Sequence, residues 1–271
     1  MKTRIRHIAL NTENWDRMAK FYQTIFGMKK ITTGMTDEKG NYNPNRGHIS
    51  DGVIGFAMLQ KHPGNQSGLD HFGFEVEEIP LVLERMRNDY PELLVAKSLP
   101  HVPFSVSRGT DPCGTQYDIS QKGVAKVREG YLKDGWDQPR RISHISIRSK
   151  QPERVAEFYH KVFELDVGEA PGPDGSFRVT DGQVELLVRP CDNSLYRGMR
   201  EGLDHFGFRV ENLEQTRKEI EELSEAAPES APANLDAGRF GPMTRADLEG
   251  CAIGQHAMAD PDGVLLDLTE Q

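Results

Sequence analysis

An α+β fold of four βαβββ modules, arranged as two duplicated halves, is the architecture this sequence predicts, and two layers of repetition predict it. The segment LDHFGF occurs at residues 69–74 and again at 203–208. Around it RHIAL (6–10) matches SHISI (143–147), and KFYQTIFGM (20–28) matches EFYHKVFEL (157–165). Further on, SDGVIGFAML (50–59) matches TDGQVELLVR (180–189), and DPCGTQYDIS (111–120) matches DPDGVLLDLT (260–269). So many matches in one register mark a tandem duplication. The second layer is fainter. Within each half, RHIAL and LDHFGF both read as a short strand with a central histidine, followed by an amphipathic helix. Four units result, starting near Arg4, Gly68, Arg141 and Gly202.

The elements follow from local pattern. After the first strand, Trp15, Met18, Phe21, Tyr22, Ile25 and Phe26 fall on one helix face, and Gly27 ends that helix. The third unit repeats the pattern with Val155, Phe158, Tyr159, Val162 and Phe163, with Ser149 as the expected N-cap. Tyr22 and Tyr159 are expected in the core or at its edge. The second and fourth helices, expected over 81–87 and 213–223, are more polar. Short β-type runs separated by Gly, Asp and Pro turns complete each unit. The first domain is expected over 1–125, a charged, glycine-interrupted linker over 126–140, and the second domain over 141–271. The interval from His205 to Asp267 exceeds that from His71 to Asp118, and the excess falls at about 228–250, rich in Ala, Pro and Gly. Such an insertion beside a site is either a lid or a plain surface excursion.

Composition bounds the function. With 42 acidic against 33 basic residues the formal charge is −9, which argues against nucleic-acid binding. No apolar run is long enough to span a membrane, and the start lacks the apolar core of a signal peptide, so no membrane association and a cytoplasmic location are expected. Three widely spaced cysteines, Cys113, Cys191 and Cys251, suit free thiols in a reducing compartment. There is no phosphate-binding GxxxxGK[ST], no GxGxxG after a strand and no GxSxG elbow.

What remains is a repeated constellation. Strand alternation puts Phe72 and Phe74 on one face and His71 on the other, and does the same for Phe206, Phe208 and His205. If the aromatic face packs on helices, the histidines point to the inner side of the sheet. His7 and His144 hold the same place in their units. Asp118 and Asp267 sit in the middle of the closing strands, where a carboxylate is costly to bury without a partner. Each half therefore offers two imidazoles and a carboxylate: His7, His71 and Asp118 in the first, His144, His205 and Asp267 in the second. Such a set holds a divalent metal on one side and leaves positions open for a small-molecule substrate, water or dioxygen. Glu185 is a candidate fourth ligand or base, and its counterpart in the first half is Gly55. His256, near the last strand, is a candidate acid or base. His48, His62, His101 and His160 read as solvated or local residues, and Cys113 shows no sign of activation.

Tandem βαβββ units, strand histidines, FYxxxF helices and DPxG turns with an acidic residue four beyond the Gly resemble the vicinal oxygen chelate superfamily. That group includes glyoxalase I, bleomycin resistance proteins, methylmalonyl-CoA epimerase and extradiol dioxygenases. The resemblance covers nearly the whole chain and implies paired modules, each pair forming a curved mixed sheet around a cleft with helices outside. It also implies metal ligands at the six positions named, grouped either within each half or across modules one and four. The family's carboxylate is usually Glu, where this chain has Asp. Four modules in one chain look most like an extradiol dioxygenase, which implies iron(II), with manganese, zinc or nickel as other candidates. That branch usually carries a tyrosine ten positions before the carboxylate, where this chain has Arg108 and Ala257. The leading expectation is thus a dioxygenase acting on a small aromatic or enediol-like substrate. A glyoxalase-type isomerase, epimerase or lyase using Glu185, and a non-catalytic ligand-sequestering protein, are the alternatives. Exposed edge strands make a homodimer plausible without requiring one.

Overall fold

The computed structural model describes residues 3–31, 46–99, 102, 104–123, 135–169, 171–191, 200–251 and 253–270. His101 and most of the expected linker lie outside them. The first half runs β1 (Arg4–Thr12), α1 (Trp15–Phe26), β2 (Lys29–Lys30), β3 (Arg46–Ser50), β4 (Gly55–Gln60), then β5 (Gly68–Val76), α2 (Ile79–Asp89), β6 (Val95–Lys97), β7 (Ser107–Thr110) and β8 (Gln116–Gln121). The second runs β9 (Arg141–Ser149), α3 (Pro152–Phe163), β10 (Asp166–Val167), β11 (Phe177–Thr180), β12 (Glu185–Pro190), β13 (Gly202–Val210), α4 (Leu213–Ala226), α5 (Gly241–Glu249), β14 (His256–Ala259) and β15 (Leu265–Glu270). The four histidine-bearing strands open the four modules, as the repeat requires.

Each half builds one mixed sheet. The strand orders are β2-β3-β4-β1-β5-β8-β7-β6 and β10-β11-β12-β9-β13-β15-β14. Among the described residues the fourth module has no counterpart of β6. Its place in the sequence is taken by the insertion, which folds as a 3-10 turn at Pro228–Ser230 followed by α5. The expected βαβββ is therefore βαββ there, because the inserted chain forms helix instead of an edge strand.

Helix ends follow local chemistry. Asn14 accepts from the Arg17 amide at the start of α1, and Gly27 ends it in the left-handed region. At α3 the expected Ser149 cap is not formed. Pro152 occupies the first turn, Gln151 is the capping position, and the Ser149 hydroxyl accepts from the Gln151 amide instead.

The aromatic face of each sheet is covered in part by a helix of the other half. Phe26 of α1 stacks on Phe208 of β13 at 3.7 Å between ring centroids, and Phe163 of α3 on Phe74 of β5 at 4.2 Å. Such pairs add about 0.5–1.5 kcal/mol beyond the area they bury. Polar contacts repeat the exchange. The Asp51 carboxylate accepts from the Ile142 amide, and Asp181 accepts from the Ile5 amide. Tyr22 donates to Asp260 at 2.8 Å and Tyr159 to Asp111 at 2.7 Å. The repeated DG and DPxG motifs thus lock the halves together, and both tyrosines are fully buried.

Burial pushes the Asp260 carboxyl up to about 7, although the Val264 amide and the Tyr22 hydroxyl favour its ionised form. With an unfolded value near 3.9, the native state binds more protons between about pH 4 and 7, so this group's contribution to stability falls as pH rises through that window. Tyr22→Phe removes a donor to the carboxylate. It should cost about 1.5–3 kcal/mol near pH 8, where Asp260 is charged, and about 1 kcal/mol near pH 5. Urea unfolding at the two pH values checks this; equal losses at both would contradict it.

Candidate metal centre

The strand register brings each set of three predicted residues together within its own half. In the second half, Gly207 of β13 opposes His144 of β9 on one side and Asp267 of β15 on the other. His205 lies two residues before Gly207, on the same face. In the first half Gly73 sits between His7 and Asp118 in the same way, with His71 two residues before it. The ligating atoms of each group lie within 4.8 Å of one another. The glycine is a geometric necessity. A Cβ on Gly207 would come closer than 3.0 Å to His144 and to Asp267, whose side chains lean over it.

The aspartate of LDHFGF is the second feature that the sequence alone did not reveal. Between Leu203 and His205 the β13–β9 register shifts by one residue, a bulge at Asp204, and the same shift occurs at Asp70 in β5. A bulge breaks the alternation that would send neighbours to opposite faces. The Asp204 carboxylate thereby reaches His205 Nδ1 at 2.7 Å, and Asp70 reaches His71 Nδ1 at 2.6 Å. This contact fixes the ring and turns Nε2 toward the triad, the arrangement by which outer carboxylates orient metal-ligating histidines.

Beyond these shared features the two centres diverge. In the second, His144 Nε2 and His205 Nε2 lie 3.1 and 3.2 Å from Asp267 Oδ2, and the other oxygen, Oδ1, is buried without a hydrogen-bond partner. Among the described residues no arginine or lysine pairs with Asp267. Burial would raise its carboxyl, but the two imidazoles outweigh burial and hold it well below the usual range. Burial likewise opposes charge on His205, yet Asp204 and Asp267 raise it well above the usual imidazole value. Two carboxylates around one enclosed ring make the centre a strong attractor of positive charge. The donor set, an orphaned carboxylate oxygen and ring orientation all fit a divalent metal held by His144, His205 and Asp267.

In the first centre the Arg108 guanidinium already supplies that charge. Its Nε and Nη2 donate to the two Asp118 oxygens at 2.7 and 3.2 Å, and Nη2 also lies 3.1 Å from His71 Nε2. Phe104 stacks on the His7 ring at 4.8 Å. Burial, then the neighbouring His71, hold His7 well below the usual imidazole range. The position that opposes Asp118 across the β7–β8 hairpin is Arg108, whereas Ala257 opposes Asp267 across β14–β15. As the residues stand, the Arg108 guanidinium fills the face of Asp118 and His71 that a metal at the first triad would use.

The insertion covers the second centre. Asp247 of α5 pairs with Arg148, which also holds Asp204 at 2.7 Å, and Arg189 reaches both aspartates. The chain that follows packs on the ligands: Cys251 Sγ is 3.9 Å from His205 Nε2, and a Cβ on Gly254 would strike Asp267. His144, His205 and Asp267 all have zero exposure. Glu185 is not part of the cluster. It opposes His144 in the β12–β9 register, but its carboxylate pairs with the largely exposed Arg178 at 2.7 Å. His256 opposes Leu268, one residue out of phase with Asp267, and so lies on the other face of β14. Burial, with Arg217 and Arg245 nearby, lowers its pKa. Burial pushes the Cys113 thiol up to about 12, the reverse of an activated nucleophile.

A family model, that of the Glyoxalase/Bleomycin resistance protein/Dioxygenase superfamily, matches residues 4–125 and again 141–268. The chain belongs to this superfamily. Both copies of the superfamily unit carry one triad each. A curated relative, the lactoylglutathione lyase of Schizosaccharomyces pombe, is 24% identical over 227 residues, 74% of this chain and 70% of that one. The fold is similar to the Mn(II)-bound glyoxalase from Novosphingobium aromaticivorans, with TM-score 0.64 and 13% identity over 98% of this chain and 81% of that one. It is similar also to the 2,3-dioxygenase LapB from Pseudomonas sp. KL28, with TM-score 0.60 and 14% identity over 99% and 92% of the two chains. Superfamily membership accounts for the duplicated architecture and leaves the reaction to the site. Among the described residues no helix is long and apolar enough to cross a membrane.

Proposed function

We propose that this protein is a metal-dependent enzyme whose centre is His144, His205 and Asp267, and that it is an extradiol-type dioxygenase acting on a small aromatic or enediol-like substrate. The observation that carries the reading is the buried two-histidine, one-carboxylate triad, with Glu185 turned away to Arg178. Three protein ligands on one side leave coordination positions for both substrate and dioxygen. A divalent metal, iron(II) on this reading, supplies Lewis acidity and a template on which two reactants are held together. The chain's own residues do the rest. Asp204 holds the His205 ring through Nδ1, so that Nε2 is the atom turned toward Asp267 and available to a metal. α5, Cys251 and Gly254 exclude water, and substrate entry requires them to move, because His144, His205 and Asp267 have no exposure. The pairs that Asp247 makes with Arg148 and Arg189 are the contacts that would open.

A second reading, a glyoxalase-type lyase or isomerase, is favoured by Glu185 itself. It stands directly across from His144, and an exposed ion pair such as that with Arg178 contributes only about 0–1 kcal/mol, so its carboxylate can be released toward a substrate. The lactoylglutathione lyase relative is in keeping with this.

Metal analysis after purification without oxygen or chelator, followed by oxygen-uptake assays with a panel of catechols, separates the readings. The dioxygenase predicts about one equivalent of iron, lost in Asp267→Ala, and oxygen consumed with substrate. Turnover of a hemithioacetal without oxygen, abolished in Glu185→Gln, would replace it by the second reading. Failure of every form to bind a divalent metal would overturn both.

A further inference from the structure

We propose that Arg108 is the resident cation of the first triad, standing where a divalent metal would stand, so that one side chain limits this duplicated protein to a single metal. The two halves share the triad and the residues that orient it. Each has a histidine on its first strand and another two residues before the central glycine, an aspartate on the closing strand, and a bulged aspartate holding the second histidine. At the residue opposing the ligand aspartate they differ: Arg108 in one, Ala257 in the other.

The guanidinium takes up what a metal would need. Both Asp118 oxygens accept from it in a two-pronged pair, and His71 Nε2, whose ring is oriented by Asp70, faces its Nη2 at 3.1 Å. An arginine is never deprotonated in a protein, so it cannot give way by losing its charge. A dication at the same place would meet a fixed like charge at close range, and the ligands would be left to one or the other. The arginine also answers a need of the fold. Asp118 is about 1% exposed, and an ionised carboxylate so enclosed requires a positive partner. Where the second half leaves that partner to be acquired, the first half carries it covalently.

The inference rests on the metal reading above only for the comparison with the second half. Cobalt(II) titration, read by visible absorption and by bound-metal analysis, tests it on folded, full-length protein. Wild type should bind one equivalent, retained in Asp118→Ala and lost in Asp267→Ala, which should show no cobalt at the first triad. Arg108→Ala and the bulkier, hydrogen-bonding Arg108→Gln should each bind two equivalents, the second lost when Asp118→Ala is added. Two equivalents in wild type with one lost in Asp118→Ala, cobalt bound at the first triad of Asp267→Ala, or a folded Arg108 variant that still binds one would each overturn the proposal. Wild type binding none while Arg108→Gln binds one, dependent on Asp118, would uphold Arg108's role and remove the proposed function instead. No metal in any form would remove both.

Discussion

Gly207→Ala is expected to abolish metal binding at the second triad while leaving the protein folded. Gly207 is flanked across the sheet by His144 and Asp267, and a methyl group there would overlap both side chains. Neither can retreat without loss. Both are fully buried, and His144 is hemmed in by Ser143, whose hydroxyl lies 3.1 Å from Nδ1. The ligands must swing apart, and displacement by about 1 Å is enough to spoil a metal centre. Since changes to a ligand's outer partners already cost about 10–100-fold in affinity, a change that moves two ligands should exceed about 100-fold. Global stability should fall by no more than about 1–3 kcal/mol, the usual cost of overpacking, because the Phe206 and Phe208 side chains lie on the opposite face. Isothermal titration with zinc or cobalt, beside thermal unfolding, measures both quantities. Near-normal affinity in a folded Gly207→Ala protein would show that the close approach of His144 and Asp267 is dispensable.

That glycine also marks the boundary of what the sequence discloses. The halves, the modules, the strand histidines and the mid-strand aspartates were legible, because duplication repeats them and because period-two alternation sorts faces without any knowledge of neighbours. The roles of Gly207 and Asp204 were not, since they depend on cross-strand register and on a bulge that breaks the alternation. Arg108 is separated from Asp118 by a hairpin, and only the pairing of β7 with β8 shows that its head lies on the triad. The Tyr22–Asp260 and Tyr159–Asp111 bonds join opposite halves, and helical periodicity reports that a tyrosine is buried without saying against what. The fourth module's missing edge strand was hidden for a different reason. In an Ala-, Pro- and Gly-rich segment the helix preference of Ala is opposed by Pro and Gly, so the pattern alone does not announce α5. Its Asp247 meets Arg148 and Arg189 there, two cations that look like ordinary surface residues in the sequence yet are about 5% exposed.

Those arginines make Asp204 the most consequential outer residue of the centre. Its carboxylate accepts from Arg148 at 2.7 Å and His205 Nδ1 at 2.7 Å, and lies 3.4 Å from Arg189. Asp204→Ala would take the 2.7 Å partner from the buried Arg148, leave Asp247 shared between Arg148 and Arg189 with Asp174 4.0 Å from Arg189, and free the His205 ring to rotate. Breaking a buried pair by removing one partner costs about 3–5 kcal/mol, and loss of an orienting carboxylate lowers metal affinity by about 10–100-fold. Asp204→Asn separates the two effects. The amide keeps the volume and can still accept from one donor, so most of the stability should return, whereas the charge that holds the ring is gone and the affinity should stay low. The first half supplies an internal control. There Asp70 is held by the neutral Asn11 at 2.8 Å besides the His71 ring, which keeps Asp118 as a partner, so Asp70→Ala strands no buried guanidinium and should cost only about 1 kcal/mol. Chemical unfolding of the three variants, with metal titration of the two at Asp204, decides the matter. Equal destabilisation by Asp70→Ala and Asp204→Ala would mean that the Arg148–Asp204–Arg189 cluster contributes nothing beyond an ordinary hydrogen bond. If instead the Asp204 variant alone is severely weakened, α5 is tied to the metal centre through charges that neither element could bury by itself.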